Sequence, residues 1–341
     1  MRYLSVCSGI EAASVAWHPL GWEPAALCEI EPFPSAVLAH RYPNVPNYGD
    51  FTRLTDAAHP IHNAGIDLLV GGTPCQAFSV AGLRQGLADA RGGLALEYVR
   101  LARALGPRWL LWENVPGVLS SGQGRDFGAF VGALVESGYG VAWRVLDAQH
   151  VRVDGYPHAV PQRRKRVFLV GHSGGDAARA AAVLFEPEGV RGHSAPRRAS
   201  RKGPSSDAAG GFEVCGTLSD GAHHGGGLNG QDAYTGRVLP VAFDARQHDV
   251  LIYGDKTGPL DTDGSSIGVQ HGMAVRRLTP TECERLQGFP DGWTQIPWKG
   301  KPASECPDGP RYKALGNSMA CNVMRWIGTR IAMVDAAGGE A

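Results

Sequence analysis

The sequence predicts an α/β fold on a mostly parallel sheet covered on both faces, with a smaller, mostly irregular or β domain late in the chain. Three observations lead there. Short apolar strands alternate with helical stretches through the first half, and strands so spaced are joined by helical crossovers and pair in parallel. Informative polar residues follow directly on those strands, where open α/β sheets take their ligands. Composition then changes near His172, after which Gly, Ser, Asp and His displace the long apolar stretches until about Val275.

Strands are expected at 3–6, 25–28, 66–70, 109–112, 141–146 and 167–170, with helices at 33–41, 94–105 and 127–137 between them. The stretch 192–211 reads as disordered or loop-like. Two Gly-rich segments, 216–221 and 258–264, look alike, as a weak repeat of small hairpins or as coincidence. Regular structure returns after Arg276, with helices at 280–286 and 321–334. The division expected is 1–171 plus 301–341 for one domain and 172–300 for the other.

Composition excludes several classes. A chain of 341 residues with 43 % hydrophobic and 19 % charged residues can bury two cores and is ordinary for a soluble protein. No apolar run is long enough to cross a bilayer, and the N-terminus reads as a first strand instead of a signal peptide, so a cytoplasmic protein is the default expectation. Seven cysteines without a Cys-x-x-Cys pair argue against a disulfide framework or a zinc knuckle. Net charge is zero, but residues 151–206 hold 11 basic against 4 acidic residues, an excess of seven. That stretch is either a solvated loop or a phosphate-facing surface.

The first strand runs into Cys7-Ser8-Gly9-Ile10-Glu11-Ala12. A dinucleotide fingerprint would need three glycines, and only Gly9 is there. Glu11, at the expected helix start, would repel a pyrophosphate. S-adenosylmethionine has no phosphate and carries a sulfonium and an ammonium, so acidic surroundings suit it. Glu29 stands about 20 residues after Gly9, the usual distance of a ribose-binding carboxylate. Asp50 is placed to meet an adenine after a third strand. Each of these alone is more simply an ordinary loop acid.

The segment Gly71-Gly72-Thr73-Pro74-Cys75-Gln76 ends a buried strand. Pro74 fixes the backbone and restricts Thr73, so Cys75 is presented rigidly at the strand's carboxyl end. Most cysteines are inert packing residues, but this setting points to a thiol exposed in a cleft. The next strand ends in Trp112-Glu113-Asn114-Val115 and brings Glu113 to the same sheet edge. A carboxyl in such an apolar pocket has a raised pKa, as a proton donor to a ring nitrogen requires.

With these residues the sequence resembles the cytosine-5 DNA methyltransferase family. Cys7-Ser8-Gly9-Ile10 is similar to the family's first cofactor motif, although Glu11-Ala12 replaces its Gly-Gly. Gly72-Thr73-Pro74-Cys75-Gln76 is similar to the nucleophile motif, and Glu113-Asn114-Val115 to the Glu-Asn-Val motif. Gln162-Arg163-Arg164-Lys165-Arg166 fits the Gln-x-Arg-x-Arg motif. The segments 277–290 and 312–318 resemble the last two, of which the first helps build the small domain. All occur in the family's order.

The resemblance implies a Rossmann-like S-adenosylmethionine-dependent methyltransferase fold with a target-recognition domain, acting on double-stranded DNA. Cys75 would attack carbon 6 of a flipped-out cytosine, Glu113 would protonate ring nitrogen 3, and Arg164 and Arg166 would hold the base and its backbone. Cys7, Ser8, Gly9, Ile10, Glu29, Ile30, Asp50, Phe51, Pro74, Asn317 and Ser318 would surround the cofactor. Asn317 and Ser318 are also compatible with a helix cap before Met319. Residues 76–91 would form a closing loop, with Ser79 and Gln85 reaching the duplex beside Gln162 and Arg163. Arg237, Arg246, Gln247 and His248 are candidates for base reading in the small domain, where Thr217-Leu218 matches a familiar pair. His223-His224 lacks partners spaced for a metal, so none is expected. A complete motif set in one chain implies a monomer on DNA.

Two alternatives stay open: a tRNA cytosine-5 methyltransferase, disfavoured by few aromatics at 172–250, and a silent DNA-binding regulator, disfavoured by the presence of both Cys75 and Glu113. A nicotinamide oxidoreductase fails on the missing glycines. An amino-methyltransferase would show an Asp/Asn-Pro-Pro-aromatic loop where Thr73-Pro74-Cys75-Gln76 stands.

Overall fold

In the computed structural model, the described residues are 1–74, 93–186, 242–244, 251–254, 267–271 and 274–338. They fall into two compact units: residues 1–74, 93–186 and 279–338 in the larger, and residues 242–244, 251–254, 267–271 and 274–278 in the smaller.

The larger unit is a six-stranded sheet with helices on both faces. In chain order its strands are β1 (Arg2–Val6), β2 (Glu23–Cys28), β3 (Leu68–Gly71), β4 (Trp109–Asn114), β5 (Tyr139–Asp147) and β6 (Lys165–Ser173), arranged β2-β1-β3-β4-β6-β5. All pair in parallel except β6, which runs antiparallel to both neighbours. The helices are α1 (Ala12–Trp17), α2 (Pro32–Arg41), α3 (Leu94–Leu105), α4 (Arg125–Glu136), α5 (Ala177–Leu184), α6 (Pro280–Gln287), α7 (Asp308–Asn317) and α8 (Cys321–Gly338).

Alternation along each strand splits the core in two. Leu4, Val6, Leu69, Leu110 and Trp112 face α3 and α4, packing on Tyr98, Val99 and Phe130. Tyr3, Leu68, Val70, Trp109 and Leu111 point the other way, onto Trp17, Val183, Met324 and Ile327 of α1, α5 and α8. Burial on both faces explains why the central strands read as continuous apolar runs. The strands and helices expected from the sequence are present within a few residues. The third strand before Asp50 is not; a single parallel bridge, Leu27 to Asn47, stands there.

The units divide elsewhere than at 171/172 and 300/301. The Gly174-Gly175 step just after the composition change, with φ of 78° and 74°, is a turn inside the larger unit. It leads to Asp176, which caps the alanine-rich α5, and α5 packs on β5, β6 and α8. The segment 280–290, which the resemblance gave to the small domain, belongs to the larger unit. It opens with a capping box, Thr279 with Glu282.

In the smaller unit the described strands are β7 (Ala242–Asp244), β8 (Leu251–Gly254), β9 (Ile267–His271) and β10 (Ala274–Arg277), an antiparallel sheet ordered β10-β9-β7-β8. Both glycine-rich look-alike segments lie outside the described residues.

A buried ion pair carries the chain from α6 to the cofactor loop. Glu284 is fully buried, and its carboxylate accepts from Arg311 Nη2 at 3.3 Å, Thr294 Oγ1 at 2.5 Å, and the amides of Gly292 and Thr294. The loop so fixed presents Trp293, whose Nε1 donates to the Ile10 carbonyl at 2.9 Å. Arg311→Met would leave Glu284 without its cation and should cost about 3–5 kcal/mol. Urea unfolding of the full chain checks this, and an unchanged midpoint would show that the pair does not hold the loop.

Candidate active site

The site lies at the carboxyl ends of β1, β3 and β4, where neighbouring parallel strands diverge into loops. After β1 the backbone enters the left-handed region at alternate residues, Cys7 (φ 50°), Gly9 (φ 58°) and Glu11 (φ 65°). A side chain in that region costs roughly 1–2 kcal/mol, so other bonds must hold Cys7 and Glu11 there. The Gly9 amide donates to Glu29 Oε2 at 2.7 Å, and the other Glu29 oxygen takes the Glu31 amide. The Ser8 amide donates to the Cys28 carbonyl, and Ser8 Oγ accepts the Cys28 amide. Glu11 caps α1 with its own side chain.

A cavity partly open to solvent is lined by this loop together with Val70, Gly72, Glu113, Asn317, Ser318 and Met319. Of the residues expected around a cofactor, Cys7, Ser8, Gly9, Asn317 and Ser318 are brought together there. Ile10 is fully buried outside the lining, and Phe51 packs in the core on the α3 side. Glu29 acts on the cavity through the Gly9 amide. Asp50 bonds Thr52 through Oδ1 only, leaving Oδ2 without a bond among the described residues. Ile30 is 72 % exposed, which leaves its side chain free for a flat ligand face. Pro74 is exposed as well. Ser318 ends α7 and α8 starts at Cys321, so Asn317 and Ser318 are not the cap before Met319.

A side chain at 72 would crowd Glu113. A Cβ there would lie 3.0 Å from Glu113 Oε2 and 3.0 Å from the Glu113 carbonyl. The two residues flanking Glu113 grip the next residue: Trp112 Nε1 donates to Thr73 Oγ1 at 3.1 Å, and Asn114 Nδ2 to the Thr73 carbonyl at 2.8 Å. The chain entering Cys75 is thus registered against Glu113. Cys75 itself, the loop with Ser79 and Gln85, and Arg237, Arg246, Gln247 and His248 lie outside the described residues, as do Thr217-Leu218 and His223-His224.

Burial raises the Glu113 pKa, and this outweighs the opposing pull of Arg166 and Arg164. Arg166 Nε sits 3.2 Å from Glu113 Oε1. Burial pushes the Cys7 thiol up to about 12, helped by Glu29 and Asp50, so the cysteine within the cavity stays protonated.

The segment leading into β6 alternates. Gln162 and Arg164 are buried, while Arg163 and Lys165 are exposed. The Arg164 Nη2 donates to the carbonyls of Gly316 at 3.0 Å and Ser318 at 2.6 Å, on either side of Asn317. The resemblance gave Arg164 to the base; here one of its nitrogens braces the cavity wall. Burial and the Arg166 charge lower its pKa to about 9, with Glu113 opposing. Sequence reasoning missed this brace because spacing says nothing about which carbonyl a guanidinium meets. It also weighed Glu11 by its charge, against a phosphate and in favour of a cationic cofactor, without its hydrogen-bond partners.

The sequence pattern of the C-5 cytosine-specific DNA methylase family matches residues 1–198 and 235–333. This chain belongs to that family. The methyltransferase similarity extends to single relatives. A protein of Escherichia phage P1, named DNA N-6-adenine-methyltransferase, is 37 % identical over 96 % of the chain; the chain spans 61 % of that relative's length. The Type II methyltransferase M2.BsuMI of Bacillus subtilis is 28 % identical over 97 % of the chain and 75 % of its own. An Escherichia coli prophage protein titled as a DNA modification methyltransferase shares the fold, with a TM-score of 0.62 at 20 % identity over 98 % of this chain and 99 % of that one. The methyl donor of this methylase is S-adenosylmethionine, and the cavity fits it: Glu11 and Glu113 give it acidic lining, and no lysine or arginine is among its lining residues. Among the described residues no helix is long and apolar enough to cross a membrane, and no cluster of three His, Cys, Asp or Glu is placed to hold a metal.

Gly72→Ala should push the Glu113 carboxyl off the cavity floor. Methyl transfer should fall at least about tenfold, while the unfolding midpoint, relieved of little packing, moves by less than about 2 kcal/mol. Full activity in this variant would contradict the contact.

Proposed function

We propose that this chain methylates carbon 5 of cytosine in double-stranded DNA, through a covalent bond between Cys75 and the base. The observation that carries the reading is Glu113: a largely buried carboxyl, its side chain 12 % exposed, of raised pKa, held against Arg166 and packed on Gly72, three residues before Cys75.

The chemistry follows from those residue types. Carbon 5 of cytosine is a poor nucleophile. A thiolate adding to carbon 6 places an electron pair into the ring, and protonation of nitrogen 3 by Glu113 lowers the cost of that charge. Carbon 5 then carries the electron density for bond formation. S-adenosylmethionine, when bound, supplies an electrophilic methyl group. Water, which the partly open cavity admits, accepts the carbon 5 proton; the electron pair left behind re-forms the carbon 5–carbon 6 double bond and expels Cys75 as thiolate, and nitrogen 3 returns its proton to Glu113. Arg166, already on Glu113, is placed to orient the carboxyl and to neutralise it when it ionises. The base must leave the helix to reach a cavity of this kind, at a cost of a few kcal/mol. The smaller unit is assigned to reading the target, with polar side chains reaching the major groove.

The name of the phage P1 relative describes amino methylation of adenine. More than a third of that protein lies beyond the matched segment, and this chain has Thr73-Pro74-Cys75-Gln76 where an amino-methyltransferase would carry an Asp/Asn-Pro-Pro-aromatic loop.

Tritiated S-adenosylmethionine tests the reading. Label should enter duplex DNA and not tRNA, Cys75→Ser should transfer none, and a 5-fluorocytosine duplex should trap the protein at Cys75. Label in adenine, or in tRNA alone, overturns the proposal. The pH profile adds a signed expectation. Only the protonated carboxyl donates, so the rate should fall as pH rises through the Glu113 pKa. Glu113→Gln should lose that limb along with about 10²–10⁴ of the rate.

A further inference from the structure

One carboxyl in the cavity is used neither by the family's motifs nor by the chemistry above. Glu11, which stands where the family has glycine, is 1 % exposed and lines the cavity. Its Oε1 accepts from the Ser14 amide at 3.1 Å and Ser14 Oγ at 3.0 Å, and its Oε2 accepts from Ser5 Oγ at 2.8 Å. All three donors are neutral. The titratable groups facing it are Tyr3 on β1, Tyr42 after α2 and Cys321 at the start of α8, and burial keeps each of them neutral. Two arginines on the surrounding helices are bonded elsewhere. Arg41 donates to the carbonyls of Gly292 and Trp293, and Arg325 to that of Ala16. Among the described residues, none supplies Glu11 with a cation.

We infer that Glu11 is the counter-charge for the α-ammonium at the amino-acid end of the methyl donor, so that binding ionises Glu11 and releases its proton to solvent. The ammonium is favoured over the sulfonium because Oε2 has taken only one bond and keeps room to accept another. An ammonium has N–H groups to give, and a sulfonium has none. Burial also lifts the Glu11 pKa to about 7, so the free protein holds the proton that binding would expel. The sign is fixed: a bound cation favours the ionised carboxyl, lowers its pKa and sheds a proton. The inference rests on S-adenosylmethionine being the donor and not on which base is methylated.

Titration calorimetry of the full chain at pH 6.5, in buffers of different ionisation enthalpy, reads the proton directly. At that pH a free α-amino group, of pKa about 8, is already charged. The probes are S-adenosylmethionine and S-adenosylhomocysteine, which share the ammonium and differ in the sulfonium. Wild type should release more than half a proton with either ligand. Glu11→Gln should release none and bind both about ten- to a hundredfold more weakly. Weakening confined to S-adenosylmethionine would move Glu11 to the sulfonium and overturn the assignment. Unchanged affinity and proton release in Glu11→Gln overturn the inference outright. A wild type that binds neither ligand overturns the donor and the inference together. Should Glu11→Gln fail to fold, Glu113→Gln decides: release that persists without the other cavity carboxyl supports Glu11 as its source, and release that vanishes overturns it.

Discussion

The registration of β4 against the exit of β3 is the constraint on which the site depends. Gly71 pairs with Trp112, so the next residues along, Gly72 and Glu113, lie side by side as the two chains leave the sheet. Three consecutive β4 residues then do different work. Trp112 and Asn114 point to one face and hold Thr73 by its hydroxyl and carbonyl. Glu113 points to the other and fills the space that a glycine leaves open. A slip of one residue would send the carboxyl to the opposite face, into the apolar core against α4. The sheet therefore sets both the place of the proton donor and the path of the chain that presents the thiol.

Burial is what turns that geometry into chemistry. The interior of the sheet edge resists charge, so burial raises the pKa of Glu113 and lifts that of Glu11 to about 7. Arg166 and Arg164 moderate this without reversing it for Glu113. Arg164 also links the two halves of the cavity, since it runs from the start of β6 to the carbonyls around Asn317. On the opposite wall, Trp293 and the Glu284–Arg311 pair hold the Ile10 carbonyl and hence the turn that carries Glu11. Segments nearly 300 residues apart in sequence thus close one pocket around the end of β1.

Much of this was legible in the sequence because it is local. The alternation of strands and helices, the Gly-Gly-Thr-Pro exit and the Glu-Asn-Val strand end are each read from a handful of adjacent residues. What escaped was long-range. The boundary expected from the composition change near His172 does not follow the packing, since α5 lies on β5 and α8 and so belongs with the sheet. Phe51 and Ile10 sit in the cofactor motifs but turn inward, a matter of side-chain direction that spacing cannot supply. Glu11 was read through its charge alone. Its three hydroxyl and amide donors, which make a buried carboxyl tolerable, come from β1 and α1 together.

The central claim is that the Glu113 carboxyl keeps its proton at pH values where surface carboxylates have lost theirs. Carbon-13 NMR of the full chain labelled at glutamate side chains, with Glu113→Gln to assign the resonance, follows that proton directly. The account predicts a carboxyl signal that is still protonated after the exposed glutamates have titrated, and that ionises only as pH is raised further. A Glu113 signal that titrates together with the exposed glutamates would contradict it.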